Sequence, residues 1–254
     1  GPGNIYVATN CANVSPFTTW ANASTSIQAA VDCAADGSVV WVADGLYVTT
    51  SAVSVAKGLT VRGLNGASNT IVRRSGAYSH RVFSLTHSNA VIDGLTITNG
   101  AGGVYLHQGG VAQNCTIAGN SVADVGAGVH LYQGGVVRNS IIEGNSTIGD
   151  FRGGGVNVNG GLVYDCVIRN NAANASIGGG AALYGGMVSN CVLYGNSAQR
   201  GGGALLDGGG CLLRGCLLYN NTASYSGTYG GGGICVWNSG WIECCTVGGN
   251  SAPA

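Results

Sequence analysis

The chain has 254 residues, of which 47 are glycine and only 8% are charged, ten of each sign, for a formal net charge of zero. That balance argues against nucleic acid or an anionic membrane as the main partner, because both require basic patches. Glycine comes in short clusters between apolar stretches and no apolar run approaches ~20 residues, which excludes collagen and a membrane-spanning helix, so no direct membrane insertion of this segment is expected.

No signal peptide is visible, and the opening Gly1-Pro2 fits either a protease-cleavage scar or the start of a mature chain. Residues 1–50 read as an amino-terminal cap and first strands. Within them, Ile27, Ala30, Val31 and Ala34 fall on one face at helical spacing, so the segment around Ser26–Ala35 is expected to be a short amphipathic helix. Ser24 or Thr25 supplies an N-cap, and Gly37 sits where a left-handed residue ends a helix. The strand Val39–Val42, the turn Asp44-Gly45 and the strand Leu46–Val48 follow. A solenoid end exposes unpaired backbone, and this helix is its natural cover. Residues 51–100 carry shorter strands with looser repeats (Leu59–Arg62, Thr70–Val72, Val82–Leu85, Ala90–Ile92, Leu95–Ile97) and read as irregular first rungs.

Residues 101–254 repeat one phrase six times: a glycine cluster, a short apolar strand, a glycine pair, two more short strands, and Ile/Leu/Val-x-x-Asn. Cys115, Ser140, Cys166, Cys191, Cys216 and Cys245 align at spacings of 25, 26, 25, 25 and 29 residues. So strict a period means that each unit buries its apolar face only against its neighbours, as one continuous solenoid domain. Period-two alternation turns Val104, Leu106, Ala112 and Ile117 inward, with their equivalents in each rung. Asn114, Asn139, Asp165, Asn190, Gly215 and Cys244 occupy a turn column, where Asn, Asp and Gly accept the left-handed conformation. Asn120, Asn145, Asn171, Asn196, Asn221 and Asn250 are identical in all six rungs and are expected to chain their amides from rung to rung. The expected fold is all-β: a right-handed parallel β-helix with three strands per rung and about nine rungs, carrying an amino-terminal capping helix.

Stacked residues on parallel strands lie ~4.8 Å apart, too far for the 3.5–4.5 Å Cβ separation of a disulfide. The five column cysteines are therefore expected to be free thiols. Cys11 and Cys33, both near the amino end, are the better disulfide candidates.

The opening Ile5-Tyr6-Val7, the Ser26–Val31 helix and Val40–Tyr47 resemble the amino-terminal cap of bacterial pectate-lyase-like β-helix proteins. The rungs, for example Gly153-Gly154-Gly155-Val156 with Ile168-Arg169-Asn170-Asn171, resemble the repeats of polymorphic outer-membrane proteins, except that Ile, Leu or Val stands where those have Phe. The resemblance covers nearly the whole chain. It implies the fold, and it implies either a surface adhesin or a carbohydrate-active module.

Lyases of that fold gather several carboxylates for calcium and an Arg or Lys as base, and its glycoside hydrolases pair nearby carboxylates. Here Asp93, Asp124, Glu143, Asp150, Asp165, Asp207 and Glu243 are scattered, and no two share an outward column in adjacent rungs. No catalytic residue, metal site or cofactor is therefore assigned. Glu143 and Arg169 read as a surface pair. The best binding surface is the outer face of the first strand, whose columns read Tyr105/His130/Asn157 and His107/Tyr132/Asn159/Tyr184/Asp207/Trp237. Aromatic rings, amides and a few charges on a flat sheet suit sugar rings. Beside it run segments of variable length, Ser197–Arg200 against Thr222–Tyr229, where function is commonly grafted. The expected function is a non-catalytic, adhesin-like or glycan-binding module of a larger bacterial protein, extracellular or at the cell surface. A carbohydrate-active enzyme (a polysaccharide lyase or glycoside hydrolase) is the alternative. The expected partners are a glycan or host-surface ligand, with a carboxy-terminal continuation or a partner copy over the open end.

Overall fold

The computed structural model describes residues 1–76, 79–226 and 230–253. The chain coils as a parallel β-solenoid in which every strand pairs with its copies in the rungs before and after. The third-strand face is the most continuous, nine strands from Gly45–Thr49 to Thr246–Gly248. Its register aligns Ile97, Ile117, Ile142, Ile168, Leu193 and Leu218, and all six are fully buried. Val104, Val129, Val156, Ala181 and Ala204 form a second fully buried column on the first-strand face. The inward positions follow the sequence period throughout. In the last rung the inward Ile242 and Val247 remain 44% and 49% exposed.

The helix spans Ile27–Cys33, two residues shorter at its end than expected, and buries Ile27, Ala30 and Val31 against the first strands. Ser26, rather than Ser24 or Thr25, is the N-cap, its hydroxyl accepting from the Ala29 N–H. Ser24 instead bonds the Ser26 carbonyl, which fixes the entry turn. The chain's single lysine, Lys57, donates to the carbonyls of Val31, Asp32 and Ala34 at 3.2, 2.7 and 2.8 Å. A cation thus meets the carbonyl groups that a helix end leaves unpaired, where the helix dipole favours it.

Two features of the rungs depart from three strands each. A fourth short strand follows the asparagine in five rungs, at Ser121–Val122, Ser146–Thr147, Ala172–Ile177, Ser197–Arg200 and Thr222–Ala223. In two rungs the first and second strands fuse into one of nine residues, Val156–Tyr164 and Ala181–Ser189. The pairing of these two strands shifts register between Val158 and Leu162, across the glycine pair. Of the variable segments, Gly227–Tyr229 lie outside the described residues.

The turn column has left-handed backbone throughout, with φ of 53, 49, 53, 50, 61 and 52° at Asn114, Asn139, Asp165, Asn190, Gly215 and Cys244. Each asparagine of the next column is buried or nearly so. Asn145 Oδ1 accepts from both the N–H and the side-chain amide of Asn120, at 3.0 and 2.9 Å. The Asn145 amide in turn donates to the Ile117 carbonyl at 2.9 Å and to Asn171 Oδ1 at 3.0 Å. The pattern runs unbroken to Asn250. The glycine cluster is its counterpart. A Cβ at Gly128 would lie 2.5 Å from the Gly155 carbonyl oxygen and 3.0 Å from the Asn145 amide, so the ladder needs glycine there.

The Cys11–Cys33 bridge is not formed: all ten cysteines are free thiols. The Cys11 thiol donates to the Ala8 and Ala23 carbonyls at 3.3 and 2.9 Å, while Cys33 lies on the far side of the segment near the Pro16 carbonyl, 3.6 Å away.

Candidate functional site

Four rings meet on the outer face of the first strand. The register sets Tyr105 against His130 and His107 against Tyr132. Their ring centroids are 5.2 and 5.5 Å apart, and along each strand Tyr105–His107 and His130–Tyr132 are 5.7 and 5.9 Å apart. The two histidines belong to different columns, so each has a tyrosine as its stacking partner. Arg81 braces this quartet. Its guanidinium lies 6.0 Å from the Tyr105 ring centroid and donates to the Val125 and Gly126 carbonyls at 2.6 and 2.9 Å, and to Asp124 at 3.2 Å. Burial, and after it the nearby Arg81 charge, pushes the His130 imidazole down to about 4 against a partial counter-effect from Asp124. His130 is therefore neutral near pH 7, with one nitrogen donating and the other accepting.

Next to the quartet is an open groove of about 300 Å³ lined by Val125, His130, Tyr132, Arg152, Asn157, Asn159 and Tyr184. Here the expected column breaks. Asn159 pairs with Gly185, not Tyr184, because the register shifts between Val158 and Asn159. Tyr184 is consequently half-buried, and its ring carries the Arg152 guanidinium at 4.8 Å. Burial raises its hydroxyl to about 12, opposed by Arg152. The rungs beyond repeat the arrangement. Arg200 lies over Tyr225 at 3.8 Å and over Trp237 at 4.7 Å. Asp207, on the rung between Tyr184 and Trp237, accepts from the Asn238 amide at 2.5 Å. Tyr184 and Trp237 were expected as free platforms for a ligand; each instead has a face occupied by an arginine. The other outward column is also covered at its carboxyl half, since Ala182, Leu205 and Cys235, which follow Asn157, are buried.

Arg81, Arg152, Arg200 and Tyr225 were not singled out from the sequence. A signal for two of them was present: Arg152 and Arg200 each stand immediately before three consecutive glycines.

The second-strand face holds a polar line that column reading had left apart. Asp93 takes two guanidinium bonds from Arg62 at 2.9 Å, one from the Gln113 amide at 3.0 Å and one from the Asn114 amide at 2.7 Å. Arg138 continues it, donating to Gln113 Oε1 at 2.6 and 2.9 Å and to the Tyr164 hydroxyl at 3.1 Å. Both oxygens of Asp93 accept from side chains of neighbouring rungs, and the group acts as a strut between rungs. Among the described residues no group of three or more His, Cys, Asp or Glu side chains is placed to hold a metal ion, and no helix is long and apolar enough to cross a membrane.

The family model described as a right-handed β-helix region matches residues 5–247. No curated protein matches the chain. Among solved structures, pectate lyase Pel9A aligns at 17% identity with a TM-score of 0.61, covering 100% of this chain and 79% of the lyase. Pectin methylesterase PemA from Erwinia chrysanthemi aligns at 10% identity with a TM-score of 0.61, covering 99% of this chain and 91% of the esterase. A pectin methylesterase in complex with a hexasaccharide aligns equally well, at 10% identity and a TM-score of 0.61, with the same coverage of 99% and 91%. At these identities the likeness is one of fold. The match is to the general β-helix and does not single out polymorphic outer-membrane repeats.

Proposed function

The chain belongs to the right-handed β-helix family, and from that premise we propose that it is a glycan-binding β-helix module acting outside the cell, adhesin-like and without catalysis of its own. The observation that supports this reading is the ring quartet of Tyr105, His107, His130 and Tyr132 beside an open groove with amides of Asn157 and Asn159 at its wall. Aromatic faces pack on the apolar faces of pyranose rings, and amides serve the hydroxyls at their edges. A pectate lyase and pectin methylesterases share the fold, and the reading is consistent with that likeness.

The second reading, a carbohydrate-active enzyme on the same fold, draws on those neighbours too. It needs an acid, a base or a nucleophile facing the groove. No carboxylate lines the groove, and Asp207 is held by Asn238; the groups there that could move a proton are His130, Tyr132, Tyr184 and Arg152. A glycan array run together with a depolymerisation and de-esterification assay on every glycan that binds separates the two. Binding with no release of reducing ends, unsaturated sugars or methanol is the expected result. Turnover that disappears in Asp207→Asn would replace the module reading with the enzyme.

A further inference from the structure

We infer that the glycan bound by this module is acidic, and that Arg152 and Arg200 are the groups that read its oxyanions, whether carboxylates or sulfate esters. The inference rests on the glycan-binding reading above and adds the ligand's chemical class and the residues that select it.

The nine arginines of this neutral chain differ in what holds them. Arg62, Arg81, Arg169 and Arg214 are each paired with a carboxylate, Asp93, Asp124, Glu143 and Glu243 respectively. Arg152 and Arg200 have no carboxylate partner among the described residues. They are nevertheless not loose. Arg152 is held against the Tyr184 ring, and Arg200 is held between Tyr225 and Trp237. Stacking fixes the plane of a guanidinium, and the two terminal Nη groups can then donate side by side to an oxyanion. The Arg200 Nε and the Tyr184 hydroxyl are both shut off from solvent with no hydrogen-bond partner. A buried donor without a partner is costly, so the aromatic pocket of Tyr225 and Trp237 holds Arg200 at the expense of solvation.

Their placement is regular. The Arg152 carbonyl accepts from Gly126, the Ile177 carbonyl from Gly153 and the Arg200 carbonyl from Gly178, so Arg152 and Arg200 occupy the same position two rungs apart. Two strand steps separate them by ~10 Å along the solenoid axis. Arg152 also lines the groove beside Tyr132, His130 and Asn159. A ligand lying along the axis would meet aromatic rings first, then one guanidinium, then the second. Asp207 follows the first strand of the rung that Arg200 opens and carries the opposing charge, with Asn238 as its hydrogen-bond donor. The two-rung separation of the guanidinium-bearing residues suits a ligand that bears its charges at intervals, as a polysaccharide with acidic groups recurring along the chain does.

The test uses the intact chain and three oligosaccharide sets of matched length: neutral, uronate-bearing and sulfated. Each is titrated against the native protein, Arg152→Gln with Arg200→Gln, and Arg73→Gln, an exposed arginine on the third-strand face. Glutamine keeps length and a donor while removing charge. Melting temperatures are recorded for all three proteins. The expected result is acidic binding at least ~10-fold tighter than neutral binding, weakening with salt, abolished in the double variant and retained in Arg73→Gln. The better of the uronate and sulfated sets identifies the oxyanion. Equal binding of neutral and acidic sets, or the same loss in Arg73→Gln, overturns the inference while the glycan-binding reading stands. Binding of none of the three sets by native protein overturns both.

Discussion

The asparagine column and the first-strand outer face belong to the same rungs and have opposite sequence statistics. The first is asparagine six times over, from Asn120 to Asn250; the second reads Tyr105, His130, Asn157, Ala182, Leu205, Cys235 in strict register. The difference is one of bonding partners. Each ladder amide bonds both the rung before and the rung after, so a change at one rung leaves unpaired groups in its neighbours. Outward side chains bond across rungs only in particular lines, such as Arg62–Asp93–Gln113–Arg138, and no single residue type is required at every rung. Uniformity marks where the solenoid is held together, and variety marks where it meets something else.

The most severe way to test that contrast is Asn171→Ala in the middle of the ladder. It removes the acceptor of the Asn145 N–H and amide, both at 3.0 Å, and the donor to the buried Ile142 carbonyl at 2.9 Å. Unsatisfied buried groups cost more than the bonds are worth in net, and the expected loss is about 3 kcal/mol in urea unfolding. Asn250→Ala at the partly exposed end should cost about 1 kcal/mol. Equal losses at the two positions would show that the column is a set of independent turn formers and not a coupled ladder.

On the varied face the largest effect is expected from acid. His130 protonates at about 4 in the folded chain, below its ordinary 6.5, because burial and then Arg81 disfavour the cation. The unfolded chain therefore takes up a proton first as pH falls. The stability that neutral His130 contributes is complete above pH ~6.5 and is lost progressively down to pH ~4, a change of at most roughly 3 kcal/mol. His130→Phe should flatten that part of the stability profile. An unchanged slope would mean that the acid limb belongs to other groups.

Most of the scaffold was legible because each rung repeats the same instruction. Ile117 and its five equivalents, the Asn column and the left-handed Asn114 column each appear at the spacing of the fold, and the thiol column needed only strand geometry. Cys115 is raised to about 12 by burial, and Cys191 is raised well above the ordinary thiol, by the adjoining Cys166 and Cys216 thiols first and burial after them. Alkylation of native protein should accordingly label the exposed Cys33 and Cys244 and spare Cys191 until unfolding. What stayed hidden was whatever crosses rungs at unequal separation. Tyr184 looked like the next member of a column, but one extra residue moves Gly185 into that place. Arg81 reaches Asp124 across 43 residues, and Arg200 reaches Trp237 across a segment of irregular length. Period reading places a residue in its rung; it does not say which side chain folds over it.

A smaller effect on stability is expected from Tyr132→Ala, whose ring touches both His107 and His130 but lies outside the core. The loss should be about 1 kcal/mol, as for a ring contact at a half-exposed site, while glycan affinity falls by a larger factor. A loss of the size seen for the ladder would make the quartet part of the framework and weaken its standing as a binding surface.

The smallest effect is expected on the third-strand face, where Glu143 accepts from Arg169 Nε and Nη2 at 2.6 Å and Arg169 Nη1 donates to the Tyr194 hydroxyl at 2.8 Å. The distances are short, yet both side chains are open to water, and solvent and salt screen an exposed pair. Tyr194 is in any case stacked on Tyr219 at 5.0 Å, so its position does not depend on the arginine. Glu143→Gln should leave the melting temperature unchanged within error, and the native protein should show no loss of stability on this account as salt is added. A clear drop in Glu143→Gln that vanishes in high salt would mean that this outward line of side chains binds rung to rung as the asparagines do, and the division between a bonded column and a free face would then have to be drawn elsewhere.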